Sequence, residues 1–356
     1  MKFLNWSKKA AVIGSCLGLL SVVACSNEPK SSADEVSKDT VNKQAHPPVV
    51  VFSARKQHLI EPLFKQFTQD TGIEVDYITD NAQPLISRIK AQGDNAKADV
   101  FMATDAGSLW SAAEQGVLEP VKSSVLEQRV PKSLQDDQDR WFGLSKRART
   151  IVYSKERVNP NELSTYAQLA DPAWQGRLCL RTSQKIYNQS LVAMLLETYP
   201  EEKVSEFVKG WVKNLAVPVF SSDSLLVQAI ASGQCDVGIV NTYYLGEELK
   251  KDSKLPVGLF WANQADSGVH INISGAGLIK NAPHKQDAIK LMEWLVSDKA
   301  QALFAGLNFE YPVVDGVAMD PLIKGWGVFN EDKTSIVFAG KNQVQAIKLM
   351  DKAGYK

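Results

Sequence analysis

Val49-Val50-Val51-Phe52 is an unbroken apolar run, and after it the period changes: Leu59, Ile60, Leu63, Phe64 and Phe67 recur at helical spacing over 58–71, up to Gly72. Such a run fits a strand buried on both faces. The glycine fits the C-cap of the helix that follows. Downstream, 73–79 reads as a strand and 83–92 as a helix with Leu85, Ile86 and Ile89 on one face and Gly93 at its end. A strand at 100–103 and a helix at 109–115 continue the pattern. Strands alternating with helices predict an α/β fold with a mostly parallel sheet covered on both sides.

The alternation resumes after residue 150, with strands at 151–153, 178–180, 236–241 and 269–278 and helices at 189–198, 202–214, 224–232, 285–308 and 341–353. That is more chain than one core usually spans, so two lobes are expected. The stretches 147–154 and 268–276 are the candidate crossing strands, where a few residues can absorb a hinge rotation. The expected division is 48–149 with 274–324 for one lobe and 150–273 with 325–356 for the other.

Ahead of this body, Lys8 and Lys9 precede an apolar run of 15 residues, Ala10 to Ala24. It is too short for a stable membrane span and suits a secretory h-region, so 1–24 is expected to be a signal peptide. Val22-Val23-Ala24-Cys25 resembles the bacterial lipobox, which implies that Cys25 is acylated; Ile13-Gly14-Ser15-Cys16 is a weaker match. Residues 25–47 are polar and charged, too poor in apolar surface to fold alone, and read as a flexible tether.

The chain has 40 basic and 40 acidic residues; loss of Lys2, Lys8 and Lys9 with the signal leaves 37 against 40. A nucleic-acid partner normally requires a basic face, and none is expected. With Cys16 and Cys25 assigned, Cys179 and Cys235 remain. An exported chain meets oxidising conditions, so the two are expected to pair, the alternative being two buried thiols.

Catalytic motifs are missing. The four histidines, His46, His58, His270 and His284, form no His-x-x-x-His pair, and no Walker A or Gly-x-Gly-x-x-Gly sequence occurs. No nucleophile, base and acid can be assembled, so an enzyme is not expected. The informative segments follow strands: Asn241-Thr242-Tyr243-Tyr244, and Arg181-Thr182-Ser183-Gln184-Lys185-Ile186-Tyr187-Asn188-Gln189-Ser190. Polar groups just past the carboxyl end of a strand face the crevice where α/β sheets bind ligands.

From about Val49 to Lys356 the sequence resembles the periplasmic ferric-ion-binding proteins of ABC iron importers, of the bacterial transferrin-like type. The resemblance is carried by Trp141-Phe142-Gly143-Leu144-Ser145-Lys146-Arg147-Ala148-Arg149-Thr150-Ile151-Val152-Tyr153, by Ile186-Tyr187-Asn188-Gln189-Ser190 and by Asn241-Thr242-Tyr243-Tyr244. It implies a two-lobed type II periplasmic-binding-protein fold with an interlobe cleft and hinge strands. It also implies Fe(III) as cargo, with Tyr187, Tyr243 and Tyr244 as phenolate ligands and Asp105 as a carboxylate ligand. Where many members place a histidine or tyrosine ligand after the first strand, this sequence has Lys56; His58 nearby reads as a surface or capping residue. Open coordination positions imply water or a synergistic anion such as carbonate, held by Arg55, Lys56, Arg149 or Arg181. The implied partners are an ABC permease and ATPase, with the protein a monomer on the periplasmic side of a bacterial membrane, anchored by lipid. The same clamp with an organic or oxyanionic solute is the competing expectation.

Overall fold

The computed structural model describes residues 47–356; the expected signal peptide, Cys16, Cys25, His46 and all but the last residue of the tether lie outside the described residues. Nine strands form: β1 (Val49–Ser53), β2 (Val75–Thr79), β3 (Val100–Ala103), β4 (Leu118–Glu119), β5 (Phe142–Ser154), β6 (Leu178–Cys179), β7 (Val237–Asn241), β8 (Val257–Phe260) and β9 (Ile271–Ile279). The main helices are α1 (Gln57–Thr71), α2 (Ala82–Gln92), α3 (Ala106–Glu114), α4 (Ser124–Arg129), α5 (Ile186–Thr198), α6 (Glu201–Lys213), α7 (Asp223–Ala231), α8 (Thr242–Lys251), α9 (Lys285–Leu295) and α10 (Asp298–Asn308). None of the described helices is long and apolar enough to cross a membrane.

The strands run in the order β2-β1-β3-β9-β5-β7-β6, with β4 beside β9 and β8 beside β5. Antiparallel pairings outnumber parallel ones by five to three, so the mostly parallel sheet expected from the alternation is corrected to a mixed one. The physical reason lies in two long strands. Helical crossovers make β1, β2 and β3 parallel, and likewise β6 and β7, but β5 and β9 pair with each other and with the flanks antiparallel.

Local chemistry explains the elements. In α1 the buried residues are Ile60, Leu63, Phe64 and Phe67, one face of the helix. Gly72 takes φ 75° at its end and its N–H reaches the Thr68 carbonyl, a conformation costly for any residue with a Cβ. The expected helix over 285–308 is two helices, because the Ser297 hydroxyl accepts from the Ala300 N–H and caps a new start.

Two large apolar clusters form the interior. Phe142 and Leu144 of β5 and Ile273 of β9 belong to the first; Ala148 and Ile151 of β5 and Ile271 of β9 belong to the second. Both long strands therefore pass from one cluster to the other within a few residues. The C-terminal stretch divides as well: Ile336, Val337 and Ala339 pack into the first cluster, while Ala346, Leu349, Met350 and Tyr355 pack into the second. Residues 325–356 are thus not confined to one lobe, because the segment crosses back over the first cluster before its last helix.

Cys179 at the end of β6 and Cys235 just before β7 form a disulfide, with Cα atoms 5.9 Å apart and a sequence separation of 56. It staples two strands whose C-terminal ends lead to Arg181 and to Tyr243. Replacing both cysteines by serine is expected to cost about 2–4 kcal/mol, read as a lower urea midpoint relative to the oxidised wild type.

Candidate functional site

Tyr187 is the second residue of α5, and Tyr243 and Tyr244 are the second and third of α8. All three phenols thus stand at helix N-termini just beyond strands, where unpaired N–H groups and the helix dipole favour negative charge. They meet. The Tyr243 and Tyr244 rings lie 4.3 Å apart, and Tyr187 is near enough to act on the charge of both. The three line one cleft of about 670 Å³.

Their relative positions are fixed by a buried guanidinium. Arg149 of β5 donates from Nε and Nη2 to the Asn188 side-chain oxygen at 3.0 and 2.6 Å. Its Nη1 donates to Asp223 at 2.9 Å and to Asn241 at 3.3 Å, and Nη2 also reaches the Ile239 carbonyl at 3.0 Å. Asn188 follows Tyr187, and Asn241 precedes the Thr242-Tyr243-Tyr244 run. Asn188 in turn donates to the carbonyls of Arg181 and Thr182, and Asp223 accepts from the Asn241 N–H. Four segments are therefore tied to one side chain.

Electrostatics favour the protonated forms of Tyr243 and Tyr244. Burial pushes the Tyr243 hydroxyl well above the ordinary tyrosine value, Tyr187 and Tyr244 push the same way, and Arg147 pulls back. Burial likewise raises Tyr244, with Tyr187 adding to it, while Tyr243 and Arg181 oppose. Two guanidiniums face the Tyr187 ring, Arg147 at 5.4 Å and Arg181 at 5.3 Å. Arg181 also reaches the Tyr244 hydroxyl at 3.5 Å and Asp223 at 3.7 Å.

The remaining candidates from sequence separate. Lys56 and Arg55 line the cleft, but Arg55 is buried and bound at 2.9 and 3.2 Å to the Glu310 carboxylate, which leaves little of it for a ligand. Arg149 is enclosed by its four partners and is not among the residues that line the cleft. Asp105 lies outside that lining as well. One carboxylate oxygen caps α3 by accepting from Gly107 and Ser108; the other accepts at 2.6 Å from both Ser190 and Asn272. Its oxygens are occupied, and burial raises its carboxyl above the ordinary range despite those partners. His58 lines the same cleft and is exposed.

Sequence reasoning missed Arg147, which is 2% exposed and donates Nη1 to Ser274 at 3.2 Å, with Nε and Nη2 unpartnered among the described residues. A signal was available: two arginines two positions apart in an otherwise apolar strand lie on one face of it. Glu247 was missed as well; it sits one helical turn beyond the tyrosine pair and lines the cleft.

Arg149→Gln is expected to destabilise the fold by about 3–5 kcal/mol, because Asp223 would lose its closest cation in a dry interior. Urea unfolding measures this, and Arg149→Lys should recover only part of the loss, since an ammonium cannot span the same oxygens.

The bacterial extracellular solute-binding protein family matches residues 54–302. Iron uptake protein A1 of Synechocystis sp. is 40% identical over 351 residues, covering 97% of this chain and 95% of that protein. Among solved structures, Trichodesmium IdiA (FutA) in complex with iron and citrate ligands superposes with a TM-score of 0.83 at 44% identity, covering 87% of this chain and all of that one. Apo ferric ion-binding protein A of Pasteurella haemolytica superposes with a TM-score of 0.81 at 37% identity, covering 86% of this chain and 98% of that one.

Proposed function

This chain belongs to the bacterial extracellular solute-binding protein family, and we propose that it is the Fe(III) carrier of an ABC importer, a binding protein and not an enzyme. The gathering of Tyr187, Tyr243 and Tyr244 in one cleft carries the reading. The names of its relatives, iron uptake and ferric-binding proteins, support it. Fe(III) is a hard ion that prefers anionic oxygen. A bound cation draws protons from groups that otherwise keep them. Three phenolates balance three positive charges, which makes burial of the ion tolerable.

Within this reading the ion sits against the phenol triangle, and an oxygen anion such as carbonate completes its coordination. Arg147 and Arg181 are the cations best placed to hold that anion, since both face the phenols and Arg147 has two unpartnered donors. The clamp is two lobes hinged through β5 and β9, where both strands change cluster. Cys25 carries the lipid that keeps this monomeric protein beside its permease and ATPase, on the periplasmic side of the membrane.

Tyrosinate-to-iron charge transfer gives visible absorption, so ferric loading of the purified protein should produce a coloured one-to-one complex. Tyr187→Phe and Tyr243→Phe should each weaken and shift the band. A colourless wild type, with both variants behaving like it, would leave an organic or oxyanionic solute as the cargo. The pH response has a definite sign. Burial raises Tyr243 and Tyr244, so both carry protons at neutral pH and iron must displace them. Each displaced proton weakens loading about tenfold per unit fall in pH, so a titration from neutral toward acid should bleach the complex.

A further inference from the structure

Opposite charges line the cleft from different helices. Lys56 precedes α1 on one wall and His58 lies in the first turn of that helix; both are exposed. Glu247 lies on α8 in the other wall, partly buried, three residues beyond Tyr244. All three line the same cleft as the phenols. Burial raises the Glu247 carboxyl above its ordinary value, while Lys251 on its own helix and Lys56 and His58 across the gap pull it back and Glu248 adds to the rise. None of Lys56, His58 and Glu247 is in an ion pair among the described residues.

The wall that carries Lys56 has no anionic oxygen free for a metal. Its one cleft-lining carboxylate, Glu310, is held by Arg55. A protonated lysine has no lone pair to donate. Every strong bond to a trivalent ion therefore comes from the wall of α5 and α8, and the ion gives the facing wall little to close upon. We propose that Lys56 and Glu247 pair across the mouth when the clamp shuts, forming a latch that retains the cargo in place of a metal bond from the α1 wall. The proposal rests on the phenolate reading of the cleft. It assigns Lys56 a positioning role and Glu247 the matching one, with neither touching the ion. His58, in the first turn of α1, lines the cleft beside Lys56.

The test is the rate at which the ferric complex of the full folded chain loses its visible band to excess EDTA. Lys56→Gln and Glu247→Gln are each expected to release iron about three- to tenfold faster, as for a partly exposed ion pair. The double variant should be no faster than the faster single one, and the exchange Lys56→Glu with Glu247→Lys should restore most of the retention. Raising salt from about 0.05 M to about 0.5 M should speed release from the wild type but not from the single variants. The band maximum should stay in place throughout, since neither side chain is a ligand. A band that shifts in either variant overturns the latch, as do single variants that release at the wild-type rate or effects that multiply in the double variant. A wild type that takes no colour fails the phenolate reading and the latch with it, whereas a coloured wild type with unaltered variants fails the latch alone.

Discussion

Arg149 holds the phenol-bearing elements in register, and its burial decides how the cleft is built. Taking a guanidinium out of water costs several kcal/mol unless its donors and its charge are met. Here Asn188, Asn241, Asp223 and the Ile239 carbonyl meet them from three directions. Because the oxygens that stabilise the charge sit next to Tyr187 and just before Tyr243, the energetic demand of one buried cation becomes a geometric constraint on three phenols. Two positions earlier on the same face of β5, Arg147 is buried with most of its donors unmet. The strand thus supplies one guanidinium whose charge is neutralised and one with free donors.

The same burial that tightens this geometry makes the cleft selective. A phenol in water loses its proton near pH 10, and in this cleft removing it is harder still. Two helix N-termini and two guanidiniums lower that cost without cancelling it. On the proposed reading, a trivalent ion has more to gain from each such phenolate than a divalent or monovalent one. Discrimination follows from the charge required to ionise the site as much as from its size.

Much of the fold was legible because burial imposes periodicity. The all-apolar β1, the one-sided α1 and the glycine at its end are direct consequences of a strand between layers and a helix on a face. Strand direction was less legible, because alternating strands and helices describe crossovers within a lobe and say nothing of β5 and β9, which join the clusters. The break at Ser297 was written in the sequence as a serine followed by aspartate, a capping signal inside an apparently continuous apolar pattern. For the site, the segments following strands were legible from the residues, whereas the convergence of their tyrosines came only from the family resemblance, since it depends on the asparagines and aspartate that Arg149 gathers. Asp105 shows the converse: its position after β3 suggested a ligand, but an aspartate ahead of Ala-Gly-Ser at a helix start is also a capping residue, and the buried donors Ser190 and Asn272 settle its orientation.

The asymmetry of the cleft bears on how cargo leaves it. The phenol triangle is assembled wholly within one half, tied by Arg149 and by strands that a disulfide joins. If the three phenols hold the ion, as proposed, opening the clamp exposes it without pulling them apart. In a site whose ligands were shared between lobes, opening would itself break bonds. Here the bonds persist until the charges change. Protonating one phenolate leaves a buried positive excess, and reducing the ion to the divalent state leaves a negative one; either makes the trivalent-matched triangle a poor host. Lobe opening and charge change are then separate requirements. On that reading closure slows escape, and the proton or the electron removes the charge match that holds the ion.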